Sequence, residues 1–417
     1  MTDHGTAAED LVEDICQTIF LADFTVRSPM FKKGHGQQKE AADFLVPFED
    51  TLLAFQVKSR RTEESDVDDQ VRRGRILKRI SEGIDQLKTI KRALAANRLS
   101  ALRNKAGVLL PFQPTTIRNL VGLVIVDLPD EYSRPLDERT QLLNGFERRH
   151  GIPVHIMLAS DFRILSKEVD TLPDFIAYLA TREHYFDSAS IFPHITELDF
   201  LATYKMLPDL RDPATRPDLL TIMDGMWTTY IDKHGAAIER RNKRQELSYR
   251  IDELIEYLHT LIGYRPYEID FGRSDAVDDI FKYSKIAIEL ARLGRLQRLA
   301  LCKMWASKMV RAEQLGLGYG LFLPRPNSGI LVTASSERDR KERHRVLYAL
   351  ARMAYCHAGL SRLLAVGTEP IRAEQRSYDW VLLEDVTLGD ATTLKQQAAE
   401  YFGAPEVSRM AEFEDEG

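Results

Sequence analysis

The residues that could do chemistry lie between Lys39 and Lys58, in the stretch KEAADFLVPFEDTLLAFQVK. Two apolar runs carry Asp43 near the start of the first, and Gln56 and Val57 just before Lys58 at the end of the second. A carboxylate, a carbonyl-bearing residue and an ammonium group in one place can hold a divalent metal ion and activate water against a phosphodiester. The sequence therefore predicts hydrolytic chemistry if local structure brings these groups together.

A β-hairpin would position them. Side chains alternate faces along a strand, so Gln56 and Lys58 point the same way. A two-residue turn at Glu49 and Asp50 would place Asp43 opposite Gln56, where opposed residues share a face with Cβ atoms about 4.5–5.5 Å apart. The pair Glu-Asp lacks the glycine that such turns favour. A slip of one residue would turn Asp43 onto the other face.

Two helical segments flank this hairpin. The stretch 6–20, TAAEDLVEDICQTIF, has apolar residues at helical spacing and carries Glu9 and Glu13. The stretch 80–94, ISEGIDQLKTIKRAL, is also predicted to be helical and carries Gln86. A further acid, Glu40, lies shortly before the hairpin.

The pattern of Asp43 followed by Gln56-Val57-Lys58 resembles the PD-(D/E)XK nuclease superfamily, which has the restriction-endonuclease-like fold. Its QxK form is similar to that of Mrr-type restriction enzymes, and the resemblance covers roughly the first half of the chain. It implies that Asp43, Gln56 and the Val57 carbonyl bind Mg²⁺ or Mn²⁺. It implies that Lys58 acts on the attacking water or the scissile phosphate.

The resemblance also implies an acid from the first helix at the site. Glu9 is the favoured residue, with Glu13 and Glu40 as open alternatives. Gln56 departs from the commoner Asp or Glu of the family, and an amide is a weaker metal ligand than a carboxylate. Gln86 matches a glutamine that supports the site in similar nucleases; a plain surface position is the alternative.

Basic residues follow the hairpin, although the formal net charge of the chain is −6. A nucleic-acid-binding protein needs cations locally and need not be basic overall. Gln86 and these cations are the candidate nucleic-acid contacts: Arg60, Arg61, Arg72, Arg73 and Arg75. The alternative is an ordinary solvated helix face.

The expected fold class is α/β. Residues 1–207 are predicted to form a restriction-endonuclease-like core, a mixed central sheet flanked by helices. Residues 218–411 are predicted to form a mainly helical α/β recognition or regulatory domain, followed by an acidic tail at 412–417. The proline-rich segment MLPDLRDPATRP marks the boundary. Predicted helices span 66–103, 136–149, 237–262, 276–311 and 336–357, and predicted strands span 120–127, 153–158, 318–323, 329–334, 363–367 and 379–383.

Several classes of protein are disfavoured. Cys16, Cys302 and Cys356 are isolated, which argues against a disulfide framework or a zinc cluster and fits a cytoplasmic location. The sequence shows no signal segment at its start and no apolar run long enough to cross a bilayer. It contains no phosphate-loop or dinucleotide-binding motif. His155 is predicted to be a core or edge residue of a strand.

These observations and the resemblance together predict a Mg²⁺-dependent endonuclease that hydrolyses nucleic acid, with DNA favoured over RNA. The resemblance suggests anti-phage defence or DNA processing, a homodimer or a defence-system partner protein, and no membrane association. Two alternatives stay open: a catalytically inactive nuclease fold that binds nucleic acid or acts as a scaffold, and a ribonuclease.

Overall fold

The computed structural model describes residues 4–32, 38–59, 69–99, 102–105, 107, 109–110, 112–128, 145–187, 196–264, 276–374, 376–388 and 390–402. The chain divides into two compact units. The first comprises Met1–Ala236 and Glu256–Ser284, and the second comprises Ala237–Ile255 and Lys285–Gly417. Each contains helices and its own mixed sheet, as expected for an α/β protein.

The first 206 residues form five α-helices and eight strands within the described ranges. In order they are α1 (His4–Phe24), β1 (Val26–Arg27), β2 (Met30–Lys32), β3 (Gln38–Glu40), β4 (Phe44–Phe48), β5 (Thr51–Ser59), α2 (Asp69–Ala95), β6 (Asn119–Asp127), β7 (Phe146–Arg149), β8 (Ile152–Leu158), α3 (Ala159–Glu168), α4 (Leu172–Asp187) and α5 (Glu197–Met206). Six strands form one sheet in the order β1-β4-β5-β6-β8-β7, and β2 and β3 pair separately. Strands β5, β6 and β8 are parallel, whereas β1, β4 and β7 run antiparallel to their neighbours.

The β4–β5 hairpin forms in the register that the sequence predicts. Phe48 pairs with Thr51, so the turn has two residues. Its first residue, Glu49, takes a φ of 54°, in the left-handed region that favours glycine. The pairing continues to the residue after Asp43, so Asp43 stands opposite Gln56.

Helix α2 covers one face of this sheet through an apolar stripe at helical spacing. Ile76, Ile80, Ile84, Leu87 and Ile90 are all buried on it. They pack against the even-numbered side chains of β5 and β6. Aromatic contacts among Phe55, Phe162 and Phe175 join the opposite face to α3 and α4. Because both faces are covered, β5 is buried along most of its length.

The helix predicted at 136–149 is wrong in the part that the structure describes. The structure describes only the end of the predicted helix 136–149, and that end is strand β7. His150 and Gly151 take positive φ angles of 56° and 68° and form a tight turn into β8. The His-Gly pair was the overlooked turn signal. His155 lies in β8 and is fully buried, which confirms its predicted core position.

The segment predicted as a domain boundary is packed within the first unit. Leu210 is fully buried, and its carbonyl accepts a hydrogen bond from Thr181 Oγ1 at 3.3 Å. The Tyr185 hydroxyl donates to the Pro217 carbonyl at 2.7 Å. The proline and charge content of this segment reflects a surface turn and a short 3₁₀ helix, Pro208–Arg211. The predicted acidic tail at 412–417 lies outside the described residues.

The remaining elements begin with three helices, α6 (Met226–Gln245), α7 (Tyr249–Tyr264) and α8 (Ala276–Ala291). They continue with α9 (Arg295–Leu315), β9 (Leu317–Arg325), β10 (Ser328–Ser335), α10 (Arg340–His357), β11 (Arg362–Thr368), β12 (Asp379–Glu384) and α11 (Ala391–Phe402). The four strands form a sheet in the order β12-β11-β10-β9, with β10 and β11 parallel. All four predicted strands of this region are confirmed.

The two long helices predicted in this half are each broken. A 3₁₀ turn at Glu246–Ser248 separates α6 from α7. Gly294 separates α8 from α9, and its extended backbone caps α9 while its N–H donates to Gln297 Oε1 at 3.1 Å. Periodicity alone does not reveal such breaks, because the apolar stripe resumes after a short interruption. Within the described residues, no helix combines the length and apolar character needed to span a membrane.

Gly318 allows α9 to approach β9 closely. A Cβ on Gly318 would lie 2.0 Å from the backbone oxygen of Lys308. Gly318→Ala should therefore lower the free energy of unfolding by about 1–3 kcal/mol, the usual cost of overpacking, as measured by urea denaturation. Gly320→Ala is the control, because its Cβ would meet only the flexible ends of Lys308 and Met304. Equal losses in the two variants would contradict this account.

Candidate functional site

At the end of the hairpin the predicted carboxylate and ammonium groups lie close enough for their charges to interact, and the predicted amide contacts the ammonium. Asp43 N–H donates to the Phe55 carbonyl at 3.2 Å, which extends the hairpin ladder. Asp43 Oδ2 then accepts a hydrogen bond from Val57 N at 2.6 Å. This second bond holds the half-buried carboxylate beside the end of β5, next to Gln56 and Lys58.

Lys58 is held by two amide oxygens. Its Nζ donates to Gln56 Oε1 at 3.2 Å and to Gln86 Oε1 at 3.0 Å. Gln56 is only 2% exposed, whereas Gln86 is exposed on α2. Among the described residues, no carboxylate forms an ion pair with Lys58. The structure thus brings Gln86 to the site, and it places the Gln56 amide under α2 with its oxygen already used.

A glycine makes room for this lysine. A Cβ on Gly83 of α2 would lie 3.0 Å from Lys58 Cε and 3.6 Å from Gln56 Cβ. The Lys58 side chain therefore runs along the surface that Gly83 leaves open. Sequence reasoning missed Gly83, although a glycine inside an amphipathic helix was the available signal.

Three carboxylates near the hairpin influence one another. Burial raises the pKa of Asp43, and the charge of Glu40 raises it further, while the Val57 N–H and Lys58 oppose the shift. Burial also raises the pKa of Glu9, and the nearby charges of Asp43 and Glu40 add to the rise, against Arg27. Clustered acids that resist ionisation are a common property of functional sites and favour a cation among them.

Arg27 forms ion pairs with both candidate acids of α1, Glu9 and Glu13. Glu13 is buried, and it forms ion pairs with Arg27 and, at 3.5 Å, with Lys105. Glu9 lies 3.6 Å from Arg27 and remains close enough to Asp43 for their charges to interact. Glu13 therefore has a structural role in joining α1 to β1. Of the two, Glu9 is the acid placed to join the hairpin groups. Sequence reasoning did not single out Arg27.

The donor set is small. In the part of the chain that the structure describes, no group of three or more His, Cys, Asp or Glu residues is arranged to hold a metal ion. Mg²⁺ is commonly bound through one or two carboxylates, with water and substrate phosphates completing the octahedron. Asp43 and Glu9 could supply hard oxygen ligands of that kind.

The predicted nucleic-acid contacts are only partly visible. Arg60 and Arg61 lie outside the described residues. Arg72 and Arg73 belong to α2, but their side chains are outside the described part. Arg75 is exposed, eleven residues before Gln86 on the same helix and so about 16 Å from it along the axis. Arg79 is nearer, and its guanidinium donates to the Ser59 carbonyl at the end of β5.

The raised pKa of Asp43 makes stability depend on pH. An acid with a raised folded-state pKa contributes stability that is full below its unfolded-state pKa and is lost as pH rises through the folded-state pKa. Asparagine resembles the protonated acid and can still accept from Val57 N. Asp43→Asn should therefore match the unchanged protein at about pH 3, below the unfolded-state pKa of about 3.9, and exceed it in free energy of unfolding at pH 7. Denaturation curves at both pH values test this, and a loss at pH 7 would contradict it.

Gly83 and Gly74 provide a matched pair on α2. A Cβ on Gly74 meets nothing within 4 Å, so Gly74→Ala should stabilise the protein by up to about 1 kcal/mol through helix propensity. Gly83→Ala should gain less and should displace Lys58, whose amine would then be methylated faster by formaldehyde and a hydride reductant. Mass spectrometry of the Lys58 peptide measures that rate. An unchanged rate in Gly83→Ala would show that this glycine does not position the lysine.

The chain matches no family model, no curated protein and no solved structure. The resemblance to PD-(D/E)XK nucleases therefore depends on the hairpin residues and on the order of the surrounding elements.

Proposed function

We propose that this protein is a metal-dependent nuclease with a restriction-endonuclease-like first unit. The observation that supports the proposal is the position of Asp43 at the end of the hairpin, where it accepts from Val57 N and its charge interacts with those of Lys58 and Glu9. The mixed sheet with helices on both faces, and the order helix, hairpin, helix, parallel strand, support it.

Asp43 and Glu9 are the proposed metal-binding carboxylates, with the Val57 carbonyl beside them. Their raised pKa values reflect repulsion and burial that a divalent cation would relieve. The carboxylate chemistry fits Mg²⁺ or Mn²⁺, either of which would supply a Lewis acid for the phosphodiester and lower the pKa of a bound water. Glu40 is exposed and charge-coupled to Asp43, so it is a candidate to orient that water.

Lys58 is the proposed contact to the scissile phosphate. In hydrolysis the water oxygen forms a bond to phosphorus, the bond from phosphorus to the leaving oxygen breaks, and that oxygen takes up a proton. Negative charge grows on the leaving group and is spread over the phosphoryl oxygens, and a fixed ammonium nearby stabilises it. The amide contacts of Lys58 fix its position before substrate arrives.

The substrate we favour is DNA. Arg75 on α2, with the sequence candidates Arg60, Arg61, Arg72 and Arg73, would contact phosphates flanking the cleaved bond. Defence or DNA processing in the cytoplasm, and self-association to cut both strands of a duplex, belong to the same proposal and depend on analogy with the family.

A second candidate function is nucleic-acid binding without hydrolysis. The specific observation behind it is the burial of Gln56, whose oxygen accepts from Lys58 and is not presented to a metal ion. The same fold and the same cations would then serve recognition alone.

Cleavage assays separate these two functions. The unchanged protein should cut double-stranded DNA, single-stranded DNA or RNA with Mg²⁺ or Mn²⁺ and should stop in EDTA. Asp43→Asn and Lys58→Ala should each lower the cleavage rate about 10²–10⁴-fold, because each removes a group at the reacting phosphate. Asp209→Asn and Lys167→Ala, at exposed positions elsewhere in this unit, are the matched controls.

The outcome also ranks the substrates. Faster cleavage of RNA than of either DNA form would replace DNA with RNA in the proposal. Binding to nucleic acid without cleavage of any of the three, with either metal ion, would support the second candidate and reject hydrolysis.

A further inference from the structure

The two amide contacts of Lys58 suggest a role for Gln56 other than metal binding. We propose that Gln56 and Gln86 hold Lys58 through neutral acceptors so that its ammonium takes a phosphate oxygen of the substrate, and that Gln56 is a positioning residue for this lysine. The inference rests on the proposed function. It assigns the substrate phosphate to Lys58 and the metal ion to the carboxylates of Asp43 and Glu9 instead of Gln56.

The hydrogen-bond geometry leaves one donor for a ligand. A lysine ammonium has three N–H donors. Two are used by Gln56 Oε1 at 3.2 Å and Gln86 Oε1 at 3.0 Å. One acceptor is buried at the end of β5 and the other is exposed on α2, so they hold the ammonium from its inner and outer sides.

The neutral charge of both acceptors is the central point. An amide oxygen orients an ammonium without cancelling its charge, whereas a carboxylate at the same distance would form an ion pair with it. Lys58 lowers the pKa of the Asp43 carboxylate through its charge. The two groups nevertheless do not form an ion pair. The third N–H of the Lys58 ammonium therefore remains available to an incoming phosphate.

The same geometry argues against a metal ion on Gln56. A divalent cation on Oε1 would share that oxygen with the Lys58 ammonium, and the two positive charges would lie within a few ångströms of each other. Asp43 is held instead by Val57 N, through Oδ2, and is near the Glu9 charge. These carboxylates are therefore better placed than the Gln56 amide to hold a cation.

Close packing adds to this positioning. Gly83 lets the Lys58 stem lie against α2, because a Cβ there would be 3.0 Å from Lys58 Cε and 3.4 Å from Val124 Cγ1. The stem is thus enclosed by α2 and the sheet, and only the ammonium end reaches the exposed Gln86. A lysine restrained in this way loses less conformational entropy when it binds an anion.

Salt-dependent binding tests the charge. The full-length protein is titrated onto a labelled DNA duplex in EDTA at salt concentrations between about 50 and 200 mM. Log affinity falls linearly with log salt concentration, and each phosphate contact adds about 0.9 to the steepness of that slope. Lys58→Ala, Gln86→Glu and Gln56→Glu should each reduce that slope by about 0.9. The double variant Lys58→Ala/Gln56→Glu should reduce the slope no more than Lys58→Ala alone, because Gln56 acts through Lys58.

Gln113→Glu is the matched control, because Gln113 is an exposed glutamine in the turn before β6 and should leave the slope unchanged. Gln86→Glu keeps the test decisive if the buried change at Gln56 impairs folding, which circular dichroism would report. Slopes that stay equal to that of the unchanged protein in Lys58→Ala and Gln86→Glu would overturn the inference. Absence of any nucleic-acid binding by the unchanged protein would instead overturn the proposed function together with it.

Measurement of Mg²⁺ binding tests the second part of the inference, that Gln56 is not a metal ligand. Gln56→Met keeps an unbranched side chain of similar size and removes the amide. Calorimetric titration should find its Mg²⁺ affinity within about twofold of the unchanged protein, whereas Asp43→Asn, the positive control, should lose about tenfold or more. A loss in Gln56→Met as large as that in Asp43→Asn would make Gln56 a metal ligand and overturn its positioning role.

Discussion

The hydrogen bond from Val57 N to Asp43 Oδ2 is the interaction on which the rest of the site depends. It forms only in one hairpin register, because a shift of one residue would move the carboxylate to the other face. That register depends in turn on a two-residue turn in which Glu49 adopts a left-handed conformation. A locally unfavourable backbone is therefore tolerated where the burial of β4 and β5 fixes the pairing.

Helix α2 imposes the second constraint. Its isoleucine stripe is part of the core of the first unit, and its glycine at position 83 faces the functional end of β5. One helix thus supplies apolar packing along most of its length and a polar contact, Gln86, where the sheet face becomes accessible. The site is as rigid as the packing of this helix, which is a favourable property for a group that must be positioned before its ligand binds.

Much of this fold could be predicted from sequence, and the exceptions have physical causes. Alternation and turn length predicted the hairpin register, and a run rich in β-branched residues predicted strand β6. Strand β7 was missed because its turn depends on positive φ at His150 as well as at Gly151. The burial of Gln56 could not be foreseen, because the approach of α2 depends on Gly83 and on tertiary packing. Nor does local sequence reveal that Arg27 pairs with Glu13.

The division of the chain into two units has a consequence for synthesis on the ribosome. The chain passes from the first unit to the second after Ala236, returns at Glu256, and leaves again after Ser284. The nascent first unit consequently lacks its last segment until well over half of the polypeptide has emerged. A fragment ending near residue 207 would omit that segment and would therefore contain only part of the first unit.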